Sequence, residues 1–472
     1  MKKVERSIPY NWAAMAVVAV GTFINTMDIG AVRIALPHLG QVFQVAPDTI
    51  IWIWLINFLI GTSLMLTLGR VSDVFGMKKL YTSGLLISSL GLGLCSLAQG
   101  IVQLVMFRLI QAVGTSMTIA TSNAIITTSF PPQERGKALG ILGAVVGVGL
   151  LSGPALGGFL LDSLGWRSIF YTRIPFGIIG AAIAWTLLKE HPAPRQEGKF
   201  DLPGAATLFL TLTCLLLAVN RSQSLGWTSP WIVGLSLMGI LFLSLFLIVE
   251  RKAVQPVLDL RLFQSRLFSV ASASHTFLYM STAAVNFLMP FYLIQGLGFS
   301  ASKAGMLLVT IPVMSVVLSP VSGKISDRWG TLFLCTSGLT LVSTGIFLLS
   351  SLGSDTSTGN IILHLLIVGV GMGLFVSPNT SAIMGSAPGE RSGTASAMVA
   401  TLRQVGMSFG LAITGTIFTT SQIFHATQLT SRGLPRDVIQ KLSTISGFHD
   451  AILMILAAAL AGLVISVLRG KR

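Results

Sequence analysis

The residue with the most chemistry to offer is Asp28. It stands inside an apolar run that begins near residue 12, and it is the only carboxylate placed deep within any such run of this chain. A carboxylate surrounded by hydrocarbon is costly unless paired or neutralised, so a lone one marks a working group. Burial favours its neutral form and a nearby cation its charged form. A group held between those influences can pick up and release a proton. The plainer alternative is a static ion pair, with Arg108 as the partner at similar depth.

Arginines are the other charged residues inside apolar runs: Arg33, Arg108, Arg173 and Arg403. Arg108 and Gln111 lie three apart, on one face of a helix. Arg403 and Gln404 sit midway along a late run and are candidates to line a cavity from the other side. Arg33 is about 140° around a helix from Asp28, so the two need not face each other. By residue count Arg33 and Arg173 lie a similar short distance below one surface. Either they snorkel to headgroups, or they form an anion-binding pair on the outer side of a cavity. So many cations against one carboxylate make a poor pocket for a lipophilic dication. A neutral, zwitterionic or anionic amphiphile fits the charges better.

Softer candidates follow. Phe277 and Met280 give an adaptable apolar wall, although ordinary helix packing explains them as well. His275 and His364 can relay protons, or be lone polar groups satisfied in place. No cluster of His, Asp and Glu suggests a membrane enzyme or a metal. Cys95, Cys214 and Cys335 all fall in apolar runs and suggest no disulfide framework. The phosphate-cradling G-x-x-x-x-G-K-[ST] loop is absent, so ATP is not the expected energy source. No cofactor is expected, and a proton gradient is the remaining drive.

The elements that must hold these residues are membrane spans. Hydrophobic residues make up 52% of the 472 and charged residues only 10%, too few to coat a water-soluble core of this size. We read about fourteen apolar spans between residues 12 and 468. The net charge of +15 could point to nucleic acid, but about two thirds of the 31 Lys and Arg fall in segments on the side of the termini. That is the positive-inside pattern. It predicts both termini in the cytoplasm of a plasma-membrane protein, the cell inner membrane in a double-membraned cell. The first run carries Asp28 and Arg33 and has no convincing cleavage site, so it reads as a retained span. The expected partners are the bilayer, a small amphiphile and protons, not nucleic acid, with the chain as a monomer.

The chain repeats itself. Gly69–Gly76 reads G-x-x-x-D-x-x-G, as does Gly323–Gly330; Gly136, Gly149, Gly153 and Gly158 find equally spaced echoes in Gly393, Gly406, Gly410 and Gly415. We expect an N-terminal six-helix bundle over 1–199, an inserted hairpin over 200–264 and a C-terminal six-helix bundle over 265–472, with a site between the bundles. Gly69, Asp73, Gly76, Lys78 and Asp327 are expected to form conformational latches in the loops. Asp73 is expected where the third span begins, favoured by the helix dipole. The stretch at 421–449 reads as an outer loop with a short amphipathic helix over 436–442.

Several of these motifs carry a resemblance. Gly69–Lys79 resembles the loop signature of the major facilitator superfamily. Gly140, Gly149, Gly153, Pro154, Gly157 and Gly158 resemble the antiporter signature of drug:proton exchangers. Met106–Gly114 resembles the fourth-span motif of that group. Asp28–Pro37, Trp166–Phe170 and Arg173–Gly177 resemble motifs of its fourteen-helix EmrB/QacA-type branch. The resemblance implies a proton-coupled antiporter exporting hydrophobic or amphiphilic compounds by alternating access. It implies that Arg108 lines the cavity and couples to protonation, and that Gly149, Gly153, Pro154, Gly157 and Gly158 form a pliable contact between the halves. The branch usually writes asparagine where this chain has Arg33 and Arg173, which puts its usual cationic drugs in doubt. A lipid transporter or flippase on the same scaffold is the alternative.

Overall fold

The computed structural model describes residues 10–131, 134–190, 202–253, 260–386 and 392–468. Regular structure among them is helical throughout. The first set comprises α1 (Tyr10–Phe43), the short α2 (Pro47–Ile50), α3 (Trp52–Phe75), α4 (Met77–Leu97), α5 (Ile101–Ser129), α6 (Arg135–Leu164), the short α7 (Ser168–Tyr171) and α8 (Ile174–Leu187). A hairpin follows, α9 (Leu202–Leu225) and α10 (Pro230–Lys252). The second set is α11 (Arg266–Phe291), α12 (Ala301–Leu308), α13 (Thr310–Trp329), α14 (Thr331–Leu349), α15 (Thr358–Ser386), α16 (Ser392–Ser431) and α17 (Arg436–Val467). Among the described residues, 11 helical stretches are long and apolar enough to cross a membrane, and Pro47–Gly61 and Pro203–Val219 are shorter apolar stretches.

Glycine and proline set the boundaries. Gly76 and Gly330 both adopt positive φ, +93° and +80°, a conformation that costs glycine little. Each joins two helices at the same point of the repeated motif. The break therefore comes after Asp73, not before it: Asp73 lies in the last turn of α3 rather than at the start of α4. Among the described side chains, a carboxylate does stand beside Gly76, at the start of α4, that of Glu190. Pro175 opens α8, and the chain breaks just ahead of it, at Thr172 and Arg173. The stretch expected as an outer loop at 421–449 is helical on both sides of a turn at 432–435, and the amphipathic segment is the first part of α17.

Packing repeats between the sets. α1 packs on α6 as α11 does on α16, α4 on α5 as α14 on α15, and α3 on α5 as α13 on α15. The hairpin lies outside. α9 rests on α3 and α16, one from each set, and Thr416 Oγ1 donates to the Val219 carbonyl at 3.1 Å. α10 packs on α9 and is the least buried of the long apolar helices, 17% of its apolar window, as a lipid-facing helix should be.

The sets also meet each other at the end of the bundle away from the termini, here the distal end. Gln295 Nε2 donates to the Pro37 carbonyl at 3.1 Å. Asp162, at the end of α6, accepts from the Ala301 and Ser302 amides at 3.2 and 2.8 Å and so caps α12 of the other set. On the opposite seam, Thr419 of α16 accepts from the Asp48 amide of α2 at 3.0 Å.

Candidate functional site

Asp28 lies within α1, which is held at that level by α6. A Cβ added at Gly153 would lie 2.7 Å from the Met27 carbonyl oxygen, and one at Gly157 would lie 2.9 Å from Ala31 Cβ. Gly149 likewise meets Thr26. The three glycines of the stripe thus face α1 of their own set, not the other set as expected. Gly158, one residue and about 100° further around the helix, is the one that meets Ala301 of α12, and Pro154 meets Gly305 through its carbonyl. Small residues permit both approaches. On the other side, Gly91 of α4 lets α5 come close: a Cβ there would lie 2.6 Å from Gln111 Cα.

These approaches assemble a buried charged cluster. Arg108 Nη1 donates to both Asp28 oxygens, at 3.1 and 2.9 Å. Arg108 also donates through Nε to the Ile53 carbonyl at 3.1 Å, and through Nη1 to Gln111 Oε1. Arg173, at the chain break before α8, pairs with Asp28 through Nη1 and donates through Nε to the Ile169 carbonyl at 2.7 Å. Exposure is 6% for Asp28, 0% for Arg108, 2% for Gln111 and 2% for Arg173. The Nη2 of Arg173 is buried with no hydrogen-bond partner among the described residues. Two guanidiniums on one carboxylate leave one unbalanced positive charge in a dry setting, where charges interact strongly. Asn25, about a turn before Asp28, donates to Thr118 Oγ1 at 2.7 Å and ties α1 to α5.

Arg33 is placed elsewhere. It donates to Asn286 of α11, across the seam, and its Nε is buried without a partner among the described residues. Arg33 and Arg173 therefore serve different partners rather than one shared anion. Five residues on from Asp28, Arg33 points around the helix toward the second set.

The second set brings a sparser group to the seam. Arg403 is exposed and stands over the Tyr279 ring at 5.9 Å, and the ring of His275 lies 4.8 Å from that of Tyr279. Both ring nitrogens of buried His275, and Nδ1 of His364, lack partners among the described residues. Gln404 reaches across to α3, its Nε2 3.0 Å from where a Cβ on Gly61 would stand. Phe277 is turned away from the seam: its Cβ lies 2.9 Å from that of an added Gly462 side chain on α17. Met280 presents its carbonyl to Gly410 of α16. Phe277 thus packs within its own set.

Of the latch residues, Lys78 lies over the Trp185 ring at 5.1 Å. The side chains of Asp73 and Asp327, and the surroundings of Gly69, lie outside the described residues. Sequence reasoning missed Asn286, Asn25, Asp162 and Glu190. Asp162 carried a usable signal, a carboxylate at the end of an apolar run with a mate at equal spacing in the repeat, Thr419. The three cysteines are buried and form no disulfide, and among the described residues no group of His, Cys, Asp and Glu could hold a metal.

Comparison with known proteins gives a consistent picture. The family model described as Major Facilitator Superfamily matches residues 18–411. The chain is 33% identical over 417 residues to the riboflavin transporter RibZ of Clostridioides difficile (strain 630), covering 88% of this chain and 90% of that one. It is 33% identical over 353 residues to multidrug resistance protein 3 of Bacillus subtilis (strain 168), covering 74% and 69%. A solved bacterial homolog of the human lysosomal transporter Spinster, inward-facing and unoccupied, has the same fold, with a TM-score of 0.75 at 16% identity over 98% of this chain and 97% of that one.

Proposed function

Because the chain belongs to the major facilitator superfamily, a multi-pass membrane protein whose relatives are transporters, we propose that it is a proton-coupled antiporter exporting hydrophobic or amphiphilic small molecules by alternating access, with Asp28 as the proton carrier. The observation that carries this reading is the buried Asp28 held between Arg108 and Arg173. A static clamp needs one cation; with the second, the site is positive while Asp28 is ionised and more so when Asp28 takes a proton. With Asp28 ionised, both guanidiniums are paired and the site accepts an uncharged amphiphile. With Asp28 protonated, two guanidiniums lose their anion and hold water, which expels it. Proton and uncharged ligand thereby exclude each other, which is the requirement for exchange. The multidrug-resistance names among the relatives support export.

In this reading the chain has fourteen spans, with α3, α9 and α16 completing the eleven. Each of these three helices is at least 24 residues, roughly 36 Å, against a hydrocarbon core of about 30 Å. The N-terminal bundle (1–199) and C-terminal bundle (265–472) rock about the site, the inserted hairpin (200–264) lines their outer flank, and both termini face the cytoplasm. An anionic lipid headgroup has less support, since Arg33 and Arg173 are engaged separately.

The test is ligand-driven proton movement in everted membrane vesicles, with a cationic, a neutral and an anionic amphiphile, for the wild type and Asp28→Asn. A neutral amphiphile is expected to collapse the proton gradient in the wild type and to leave it standing in Asp28→Asn. If no ligand moves protons, or the variant responds like the wild type, the reading fails.

A further inference from the structure

We infer that Arg173 is a proton-gated acceptor-binding residue, so that an amphiphile carrying an anionic or hydrogen-bond-accepting group binds together with the proton, not against it. The inference rests on Asp28 being the proton carrier and adds the substrate chemistry and the sense of coupling.

The two arginines on Asp28 are held differently. Arg108 has the Ile53 carbonyl and Gln111 besides Asp28, so neutralising Asp28 still leaves it anchored. Among the described residues, Arg173 has only the Ile169 carbonyl, through Nε, besides Asp28. Its Nη2 is already buried without a partner, and its Nη1 loses its partner when Asp28 is protonated. What is released is the two-pronged end of a guanidinium, which matches a carboxylate, a sulfonate or a pair of carbonyls.

The groups that face Asp28 do not supply a substitute anion. They are Arg108 from α5, Arg173 from the break before α8, and the Cys95 thiol of α4, which lies within electrostatic reach of all three. A buried guanidinium deprived of its anion is strongly unfavourable, so an acceptor-bearing ligand gains most when Asp28 is neutral. By linkage, that ligand must then strengthen proton binding at Asp28 to the same degree. An uncharged ligand without acceptors has the opposite preference. One cluster therefore exchanges protons for the second kind of ligand and carries protons along with the first.

A pair of probes isolates the difference: anilinonaphthalene sulfonate, whose charge does not change in the working range, and its uncharged parent, phenylnaphthylamine. Each is titrated onto the full-length protein in lipid nanodiscs between about pH 5.5 and pH 8, with empty nanodiscs subtracted. Sulfonate affinity is expected to rise as pH falls, by up to about tenfold per pH unit, while the parent shows no rise. Arg173→Asn is expected to remove the slope. Arg173→Lys keeps the charge without the fork, serves where the asparagine variant does not fold, and is expected to weaken sulfonate binding at low pH by about tenfold or more. A sulfonate affinity that is flat or falls as pH falls overturns the inference, as does a wild-type slope in Arg173→Asn or undiminished low-pH binding in Arg173→Lys. Asp28→Asn separates the two levels. If it retains the wild-type slope, Asp28 is not the proton carrier. If it flattens the slope while Arg173→Asn keeps it, Asp28 stands and the role of Arg173 falls.

Discussion

The helices from α1 to α8 and those from α11 to α17 pack in matching pairs, yet they bring different chemistry to the seam. The first set buries a carboxylate and two guanidiniums. The second has no Asp or Glu anywhere along α11, the helix that corresponds to α1. Its buried polar anchor is neutral: Asn379 of α15 donates to the Ala271 carbonyl of α11 at 3.0 Å and lies near Cys335. Among the described residues, its arginine at the seam, Arg403, is exposed and leans on a ring. A duplicated scaffold thus separates two tasks. One half holds a charge that can change, and the other gives it a surface that does not.

The sharpest way to break this comparison is to remove each half's anchor. Asp28→Leu leaves Arg108 and Arg173 buried without an anion, and is expected to cost about 3–5 kcal/mol of stability. Asn379→Leu loses neutral hydrogen bonds, that to the Ala271 carbonyl among them, and is expected to cost about 1–3 kcal/mol. Thermal unfolding of the purified variants in detergent checks both. Equal losses would mean that the charged cluster is no more demanding than the neutral anchor, and that the division of tasks is wrong.

The next test concerns how α6 holds the charged helix. Gly153→Ala drives a Cβ to 2.7 Å from the Met27 carbonyl oxygen, backbone that cannot rotate away. Overpacking of this kind is expected to cost about 1–3 kcal/mol, and the shift of α1 should abolish proton-coupled transport. Gly143, on the same helix with nothing within 4 Å, should accept alanine with full transport. If both variants transport equally, the close approach of α6 to α1 plays no part in placing Asp28.

Much of this was legible in the sequence, for identifiable reasons. The repeat shows because glycine spacing records helix contacts directly, and Gly158 and Gly415 do occupy matching seams. The pairing of Asp28 with Arg108 shows because both lie at the same depth on unbroken helices. Arg173 was legible as an unusual residue but not as a partner of Asp28, since it follows a chain break where helical counting loses phase. Its depth suggested the outer surface, while its side chain reaches inward to the carboxylate. Arg33 could not reveal Asn286, which lies far along the chain on a different helix. The stripe of Gly149, Gly153 and Gly157 revealed a close contact without saying which helix makes it. Phe277 looked like a cavity wall because composition does not tell one face of a buried helix from another. Asp73 was misplaced by a few residues, since the apolar pattern does not show that Gly76 alone makes the turn.

The smallest effect we expect sharpens the comparison where the two sets touch. Asp162 of α6 caps α12, and Thr419 of α16 bonds the amide of Asp48 in α2; the two contacts occupy equivalent places on opposite seams. One acceptor is charged and takes two amides, and the other is neutral and takes one. Both close the distal end, so both oppose opening on that side. Asp162→Ala should weaken closure by about 1 kcal/mol, discounted because the carboxylate is exposed, and Thr419→Ala by about 0.5 kcal/mol. Those values correspond to roughly fivefold and twofold more of the distally open state. A cysteine placed at Ala155, beside Gly305 on the α6–α12 seam, reports that state by its rate of modification from the distal side, and the three native cysteines are buried and need not be removed. Faster modification in Asp162→Ala than in Thr419→Ala is the expected order. The reverse order would show that the seam beside the charged bundle is not the stronger one, and that the asymmetry between the halves stops at the buried cluster.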